Sequence, residues 1–176
     1  MKISYIIFLM ENIRDTIIEN IKEKYGLIDL EIEQNLVLHK NKNGEILAGL
    51  MLNNFLQDKC FYLFKVELEK ENIDEQFSLI SQIKFFSDKN SIFIRRLEFT
   101  DQNNKGKGYA SQMIKFFEEY CNKNDYKSIY GELIPLHNES LEKVENYYLR
   151  NGYTISTENG QKMISKSLEQ VEENIF

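Results

Sequence analysis

The sequence predicts a single α/β domain built from short strands, antiparallel hairpins and amphipathic helices. Three observations carry this reading. β-rich runs alternate with segments whose apolar residues recur at helical spacing. Two Asn-Gly dipeptides, Asn43-Gly44 and Asn159-Gly160, each lie between β-like runs, where that pair tolerates the positive φ of a tight hairpin turn. The β-like run Ser91 to Thr100 leads through Gly106 and Gly108 into a segment whose Ala110, Met113, Ile114, Phe117 and Tyr120 share one helical face.

A chain of 176 residues, 42% hydrophobic and 12% aromatic, can build one real core but is too short for two ordinary ones, so one domain over 1–176 is expected. With 22 basic against 28 acidic residues the formal net charge is -6, which argues against general nucleic-acid binding or attachment to an anionic membrane. A neutral or cationic small substrate fits better. Cys60 and Cys121 lie far apart among apolar neighbours, neither clustered with a histidine at metal-ligand spacing, so both are expected to be reduced core thiols and no metal site is expected. The apolar run Ile3 to Met10 is too short to span a membrane. Glu11 and Asp15 follow it where a small-residue cleavage site belongs, and it is read as a strand of a cytoplasmic protein.

After that first strand, Asn12 can cap a helix whose Ile13, Ile17, Ile21 and Tyr25 share a face and which Gly26 ends. Strands at about 35–40 and 45–52 flank Asn43-Gly44, and Phe61 to Leu68 is the next strand. Asn72 and Glu75 have the spacing of a capping box, opening a helix with Ile73, Phe77, Ile80 and Ile83 on its buried side and ending near Asp88. Beyond the helix that follows Gly108, Ser128 to Ile134 is a strand in which Gly131 marks a bulge or a close backbone contact, and Pro135 stops it. Glu139 to Asn151 is a helix with Leu141, Val144 and Tyr148 on one face, closed by Asn151-Gly152. Strands at 153–157 and 162–168 surround Asn159-Gly160, and the acidic tail from Glu169 is expected to fray.

The segment Asp101 to Tyr120 carries the chemistry. A strand, a glycine-containing turn and a helix start aim unpaired backbone N–H groups and the positive end of a helix dipole at one point, a cradle for an anion. Glycine lets the backbone turn sharply and lets a phosphate oxygen approach the amides. Two glycines alone also fit a loop and a helix start with no ligand. A Walker loop is absent, and a dinucleotide fingerprint would need a third glycine where Ser111 stands. The shorter cradle Asn103-Asn104-Lys105-Gly106-Lys107-Gly108 resembles the pyrophosphate loop of the GCN5-related N-acetyltransferases (GNAT), Gln/Arg-x-x-Gly-x-Gly/Ala, with Asn103 departing at the first position and a Gln one place earlier at 102. Tyr147-Tyr148-Leu149-Arg150-Asn151-Gly152-Tyr153 resembles that family's Tyr-x-x-x-Gly-Phe, and the two motifs stand in the family's order across residues 91–168.

The resemblance implies a GNAT-like mixed, mostly antiparallel sheet flanked by helices, with an extra strand and helix near 61–87. It also implies a sheet that splays between the strands at 91–100 and 128–134 to admit the pantetheine arm of acetyl-CoA, the co-substrate. Leu97, Glu98 and Phe99 would pair with that arm through their backbone, and the amides of Asn103, Asn104, Lys105, Gly106, Lys107, Gly108 and Tyr109 would receive the pyrophosphate. The lysine side chains either add charge there or are solvated. The implied reaction is direct transfer of acetyl to a primary amine of a small molecule or peptide. Tyr148, four residues before Gly152, occupies the position of the acid that protonates the thiolate; its other reading is a core aromatic, and Tyr147 leaves the register open by one. Glu98 is the candidate base, or a glutamate ion-paired with Arg95 or Arg96; Glu132 and His137 rank below it. Asn138 is the nearest residue for a contact to the pantetheine arm, although about one helical turn upstream of where the family places it. The alternative is an acyl-CoA-binding regulatory or interaction module of the same fold with little or no turnover. An exposed edge strand leaves room for a homodimer.

Overall fold

The computed structural model describes residues 14–23, 36–53, 59–99, 107–135 and 140–168. The predicted first strand, Ile3 to Met10, lies outside them. Helix α1 spans 14–23. It is followed by β1 (Leu36–Lys40), β2 (Ile46–Asn53), β3 (Lys59–Val66), a single helical turn α2 (Ile73–Gln76), β4 (Phe77–Asp88) and β5 (Ser91–Phe99). Then come α3 (Tyr109–Lys123), β6 (Ser128–Glu132), α4 (Leu141–Arg150), β7 (Thr154–Glu158) and β8 (Gln161–Ser167). Among the described residues the strands form one eight-stranded sheet in the order β1-β2-β3-β4-β5-β6-β8-β7. Every neighbouring pair is antiparallel except β5 and β6. A parallel pair cannot be joined by a hairpin, and α3 supplies the crossover.

The two faces of the sheet bury different helices. Ile17, Ile18 and Ile21 of α1 pack with Leu36, Leu50, Phe64 and Phe77 on one face. On the other, Met113, Ile114, Phe117 and Tyr120 of α3 and Tyr148 of α4 join Phe61, Ile83, Phe85, Ile92 and Ile129. Phe117 meets Phe61 and Phe85 edge-to-face at ring-centroid distances of 5.5 and 5.1 Å, an arrangement that adds to the gain from burial. The apolar stripe of α3 is therefore what seats its first turn at a fixed height over the sheet.

The extra helix expected over 72–88 is not formed. Only the turn Ile73–Gln76 is helical, and Phe77–Asp88 is a 12-residue strand in the middle of the sheet. The spacing of Phe77, Ile80 and Ile83 resembles helical periodicity because the strand bulges. Phe64 pairs with Leu79 but the adjacent Leu63 pairs with Ser81, leaving Ile80 as the extra residue. Odd-numbered residues thus face the α1 side before the bulge and the α3 side after it, so alternation is lost locally although both segments are strand.

The hairpins divide in the same instructive way. At Asn159-Gly160 both residues have positive φ, 51° and 81°, as a two-residue type I′ turn requires. At Asn43-Gly44 only Gly44 does, at 83°. There Gly44 N–H donates to Asn41 O at 3.0 Å and Asn41 N–H to Glu45 O at 2.9 Å, which makes a three-residue loop. The Asn41 side chain decides this by accepting from the amides of Asn43 and Glu45 at 2.9 and 3.0 Å. The Asn151-Gly152 ending of α4 is formed as expected: Gly152 has φ 79°, Gly152 N–H donates to Leu149 O at 3.0 Å and Tyr153 N–H to Tyr148 O at 3.1 Å, a Schellman motif.

Strands β5 and β6 pair from Ser91 and Ser128 only as far as Ile94 and Gly131. At this last pair the backbones are so close that a Cβ on Gly131 would lie 2.6 Å from the Ile94 carbonyl oxygen. The close contact expected at this glycine is present. Directly beyond, β5 bulges at Arg95, since Ile94 pairs with Phe85 and Arg96 with Lys84. The strands then part. Gly131→Ala is expected to force them apart at the root of the opening and to destabilise the fold by about 1–3 kcal/mol, measurable by denaturant unfolding. Unchanged stability would show that the contact relaxes freely.

Candidate active site

The opening between β5 and β6 is bounded by the remainder of β5, Arg96 to Phe99, which is paired with β4 on one side and with no described strand on the other. Leu97 lies opposite Ile83 and packs on the α3 core. Phe99 lies opposite the buried Ser81 and is itself 37% exposed. The three residues expected to offer backbone to an extended ligand therefore sit on the stretch of β5 whose second edge is unpaired among the described residues. A segment lying there would extend the sheet as an added strand does.

In the chain, α3 is the element that follows β5. Its N-cap is Gly108, at φ 78° and ψ 3°, with no side-chain cap on the first amides among the described residues and no acidic residue in the first turn. An added Cβ on Gly108 would meet no heavy atom within 4 Å. Conformation, and not space, is what the glycine provides here. Lys107 is exposed. Asn103, Asn104, Lys105 and Gly106 lie outside the described residues, as do Asn138 and His137.

Tyr109, expected to contribute its amide, turns its side chain inward. The ring is buried and its hydroxyl donates to both carboxylate oxygens of Glu45, at 3.1 and 3.0 Å. Burial, reinforced by Glu45, pushes its pKa up to about 12, so the donor proton is kept at neutral pH. Glu45 is held below the usual carboxylate range, first by the Asn41 amide, with burial opposing and Tyr109, Lys65 and Lys107 assisting.

The two tyrosines that left the helix register open have distinct surroundings. The Tyr147 hydroxyl donates to the carbonyl oxygen of Ala110, in the first turn of α3, at 2.6 Å. Tyr148 is buried, with its ring 5.1 Å from that of Tyr147 and 5.3 Å from that of Tyr153. Among the described residues its hydroxyl has no hydrogen-bond partner. Burial alone pushes its pKa up to about 12. It is a protonated phenol at neutral pH, the state an acid needs.

Glu98 is engaged. Its carboxylate accepts from Gln82 Nε2, lies 2.7 Å from Arg96 Nε and 3.8 Å from Lys84 Nζ. The alternation of β4 and β5 places these four side chains together on the sheet face away from Leu97 and Ile83. Of the two readings of Glu98, this geometry favours the ion-paired one, with Arg96 as the arginine. Glu132 ends β6 opposite Met163. Glu45, Gln82 and Lys84 were not singled out by sequence reasoning; only the alternation of β4, masked by its bulge, could have pointed to the last two. Among the described residues no group of three or more His, Cys, Asp or Glu is arranged to hold a metal ion, and no helix is long and apolar enough to cross a membrane.

No family model matches the chain, and no curated protein matches its sequence. Solved structures do. The GNAT domain of the S. lividans protein PAT superposes with a TM-score of 0.52 at 10% identity, covering 76% of this chain and 97% of that one. Tetrahymena GCN5 gives 0.47 at 15% identity, over 65% and 71% of the two chains. PaiA N-acetyltransferase from Thermoplasma acidophilum, in complex with coenzyme A, gives 0.45 at 16% identity, over 61% and 60%. The chain has the GNAT fold: a mostly antiparallel sheet flanked by helices, with one parallel pair at its opening.

Proposed function

We propose that this protein is an N-acyltransferase that moves the acetyl group of acetyl-CoA to a primary amine by direct transfer. The observation that carries this reading is the parting of β5 from β6, together with a helix N-terminus that has no side-chain cap among the described residues, on a GNAT fold. The amides from Asn103 to Tyr109 receive the pyrophosphate, with Lys105 and Lys107 adding positive charge nearby. The backbone of Leu97, Glu98 and Phe99 pairs with the pantetheine arm, which Asn138 flanks. The amine nitrogen attacks the thioester carbonyl, and the carbon–sulfur bond breaks as the intermediate collapses. Tyr148 gives its phenolic proton to the departing thiolate and regains one from solvent. With Glu98 held by Arg96, Lys84 and Gln82, the proton of the attacking amine leaves to water.

The engagement of Glu98 also favours a second reading, an acyl-CoA-binding module without turnover. Thiol release from acetyl-CoA, followed across a panel of small-molecule and peptide amines, separates the two. Release that depends on an amine is the expected result, and CoA binding with no release under any acceptor would establish the module. In the same assay Glu98→Gln is expected to lower kcat by less than about fivefold, against the roughly hundredfold or greater loss of a general base. A loss on that larger scale would restore Glu98 as the base.

A further inference from the structure

The first turn of α3 is held from two directions by chain that is distant in sequence. Tyr109, its first residue, bonds to Glu45, 64 residues upstream. Ala110, its second, receives the hydroxyl of Tyr147, 37 residues downstream. The Glu45 end is elaborately fixed. Glu45 N–H donates to Asn41 Oδ1 at 3.0 Å, its carboxylate accepts from Asn41 Nδ2 at 2.7 Å, and Lys65 Nζ stands 3.8 Å away on β3, itself 3.1 Å from Glu67. A carboxylate near a pyrophosphate site works against binding by like-charge repulsion, so its presence there calls for a compensating role. Here the charge is shared among Asn41, Tyr109 and Lys65, and what the carboxylate supplies is a rigid anchor for the residue that directly follows Gly108.

We propose that Glu45 is a positioning residue for acyl-CoA binding: through the Tyr109 hydroxyl it ties the β1–β2 hairpin to the first turn of α3 and so fixes the direction of the amides that meet the pyrophosphate. The proposal rests on the reading of this opening as an acyl-CoA site. Donors aimed in advance spare the ordering cost that a free helix end would incur on binding. Glu45 does not touch the reacting atoms, so its effect falls on binding and leaves the chemical step alone.

The test is titration calorimetry of coenzyme A with Glu45→Ala, Glu45→Gln, Tyr109→Phe and the double variant Glu45→Ala/Tyr109→Phe, with thermal unfolding of each. Glu45→Ala and Tyr109→Phe are expected to weaken CoA binding by about three- to tenfold each, and the double variant by no more than the worse single one, because both break the same bond. Glu45→Gln keeps an acceptor and is expected to stay within about twofold of the parent protein. The preference in kcat/KM for acetyl-CoA over acetyl-pantetheine, which lacks the pyrophosphate, should fall in parallel; a contact that merely stabilises the fold would leave that ratio and the affinity unchanged while lowering Tm. Folded Glu45→Ala and Tyr109→Phe proteins that bind CoA like the parent, or more tightly, would overturn the proposal. Failure of the parent protein itself to bind CoA would remove the acyl-CoA reading and the proposal with it.

Discussion

Gly108→Val is expected to lower the affinity for acetyl-CoA by at least about tenfold while leaving the protein folded. Gly108 caps α3 at φ 78°, a conformation that costs an ordinary L-residue about 1–2 kcal/mol and a β-branched one more. Because an added Cβ would meet nothing within 4 Å, no clash opposes the substitution. The strain is relieved by turning residues 107–108 into another backbone region, which re-aims the first amides of α3. The helix keeps its place, since Met113, Ile114 and Phe117 are fully buried beneath it. Asparagine tolerates the left-handed region, so Gly108→Asn should bind better than Gly108→Val. Calorimetry on both variants checks this, and an unaltered affinity in folded Gly108→Val would remove the cradle from the site.

Tyr148→Phe is expected to reduce kcat by about ten- to a thousandfold with little change in the affinity for acetyl-CoA, the signature of a group that acts in the chemical step. The substitution removes only the hydroxyl, which has no partner among the described residues, and leaves the ring in its edge-to-face contacts with those of Tyr147 and Tyr153. Packing should therefore survive. Tyr147→Phe has a different profile. It removes the hydrogen bond from α4 to the Ala110 carbonyl, so its cost should appear in stability and CoA affinity, by about 1 kcal/mol, with kcat nearly intact. Steady-state kinetics on the pair decide the register. If Tyr147→Phe loses turnover and Tyr148→Phe does not, the acid is one residue earlier; if neither does, Tyr148 is a core aromatic.

What the sequence determined by itself is the set of features whose cause is local. The φ of Gly108, Gly152 and the Asn159-Gly160 turn follows from the absence or tolerance of a Cβ. The buried stripe of α3 follows from a 3.6-residue period that nothing interrupts. These features, with the order of elements around them, placed the candidate cradle and the candidate acid. Only the tertiary structure decided the remainder, because its causes join residues far apart. The segment Phe77–Asp88 is a strand because β3 and β5 satisfy its backbone on both sides, and the bulge at Ile80 erases the alternation that would have revealed it. Glu98 is drawn into an ion pair by Lys84, which reaches it across the β4–β5 ladder, and by Arg96 on its own strand. The first turn of α3 is clamped by Glu45 and Tyr147, partners that come near it only once the sheet has formed and both helices have packed on it. A hydrogen bond between such distant residues leaves no periodicity in either segment, and so it is set by the fold alone.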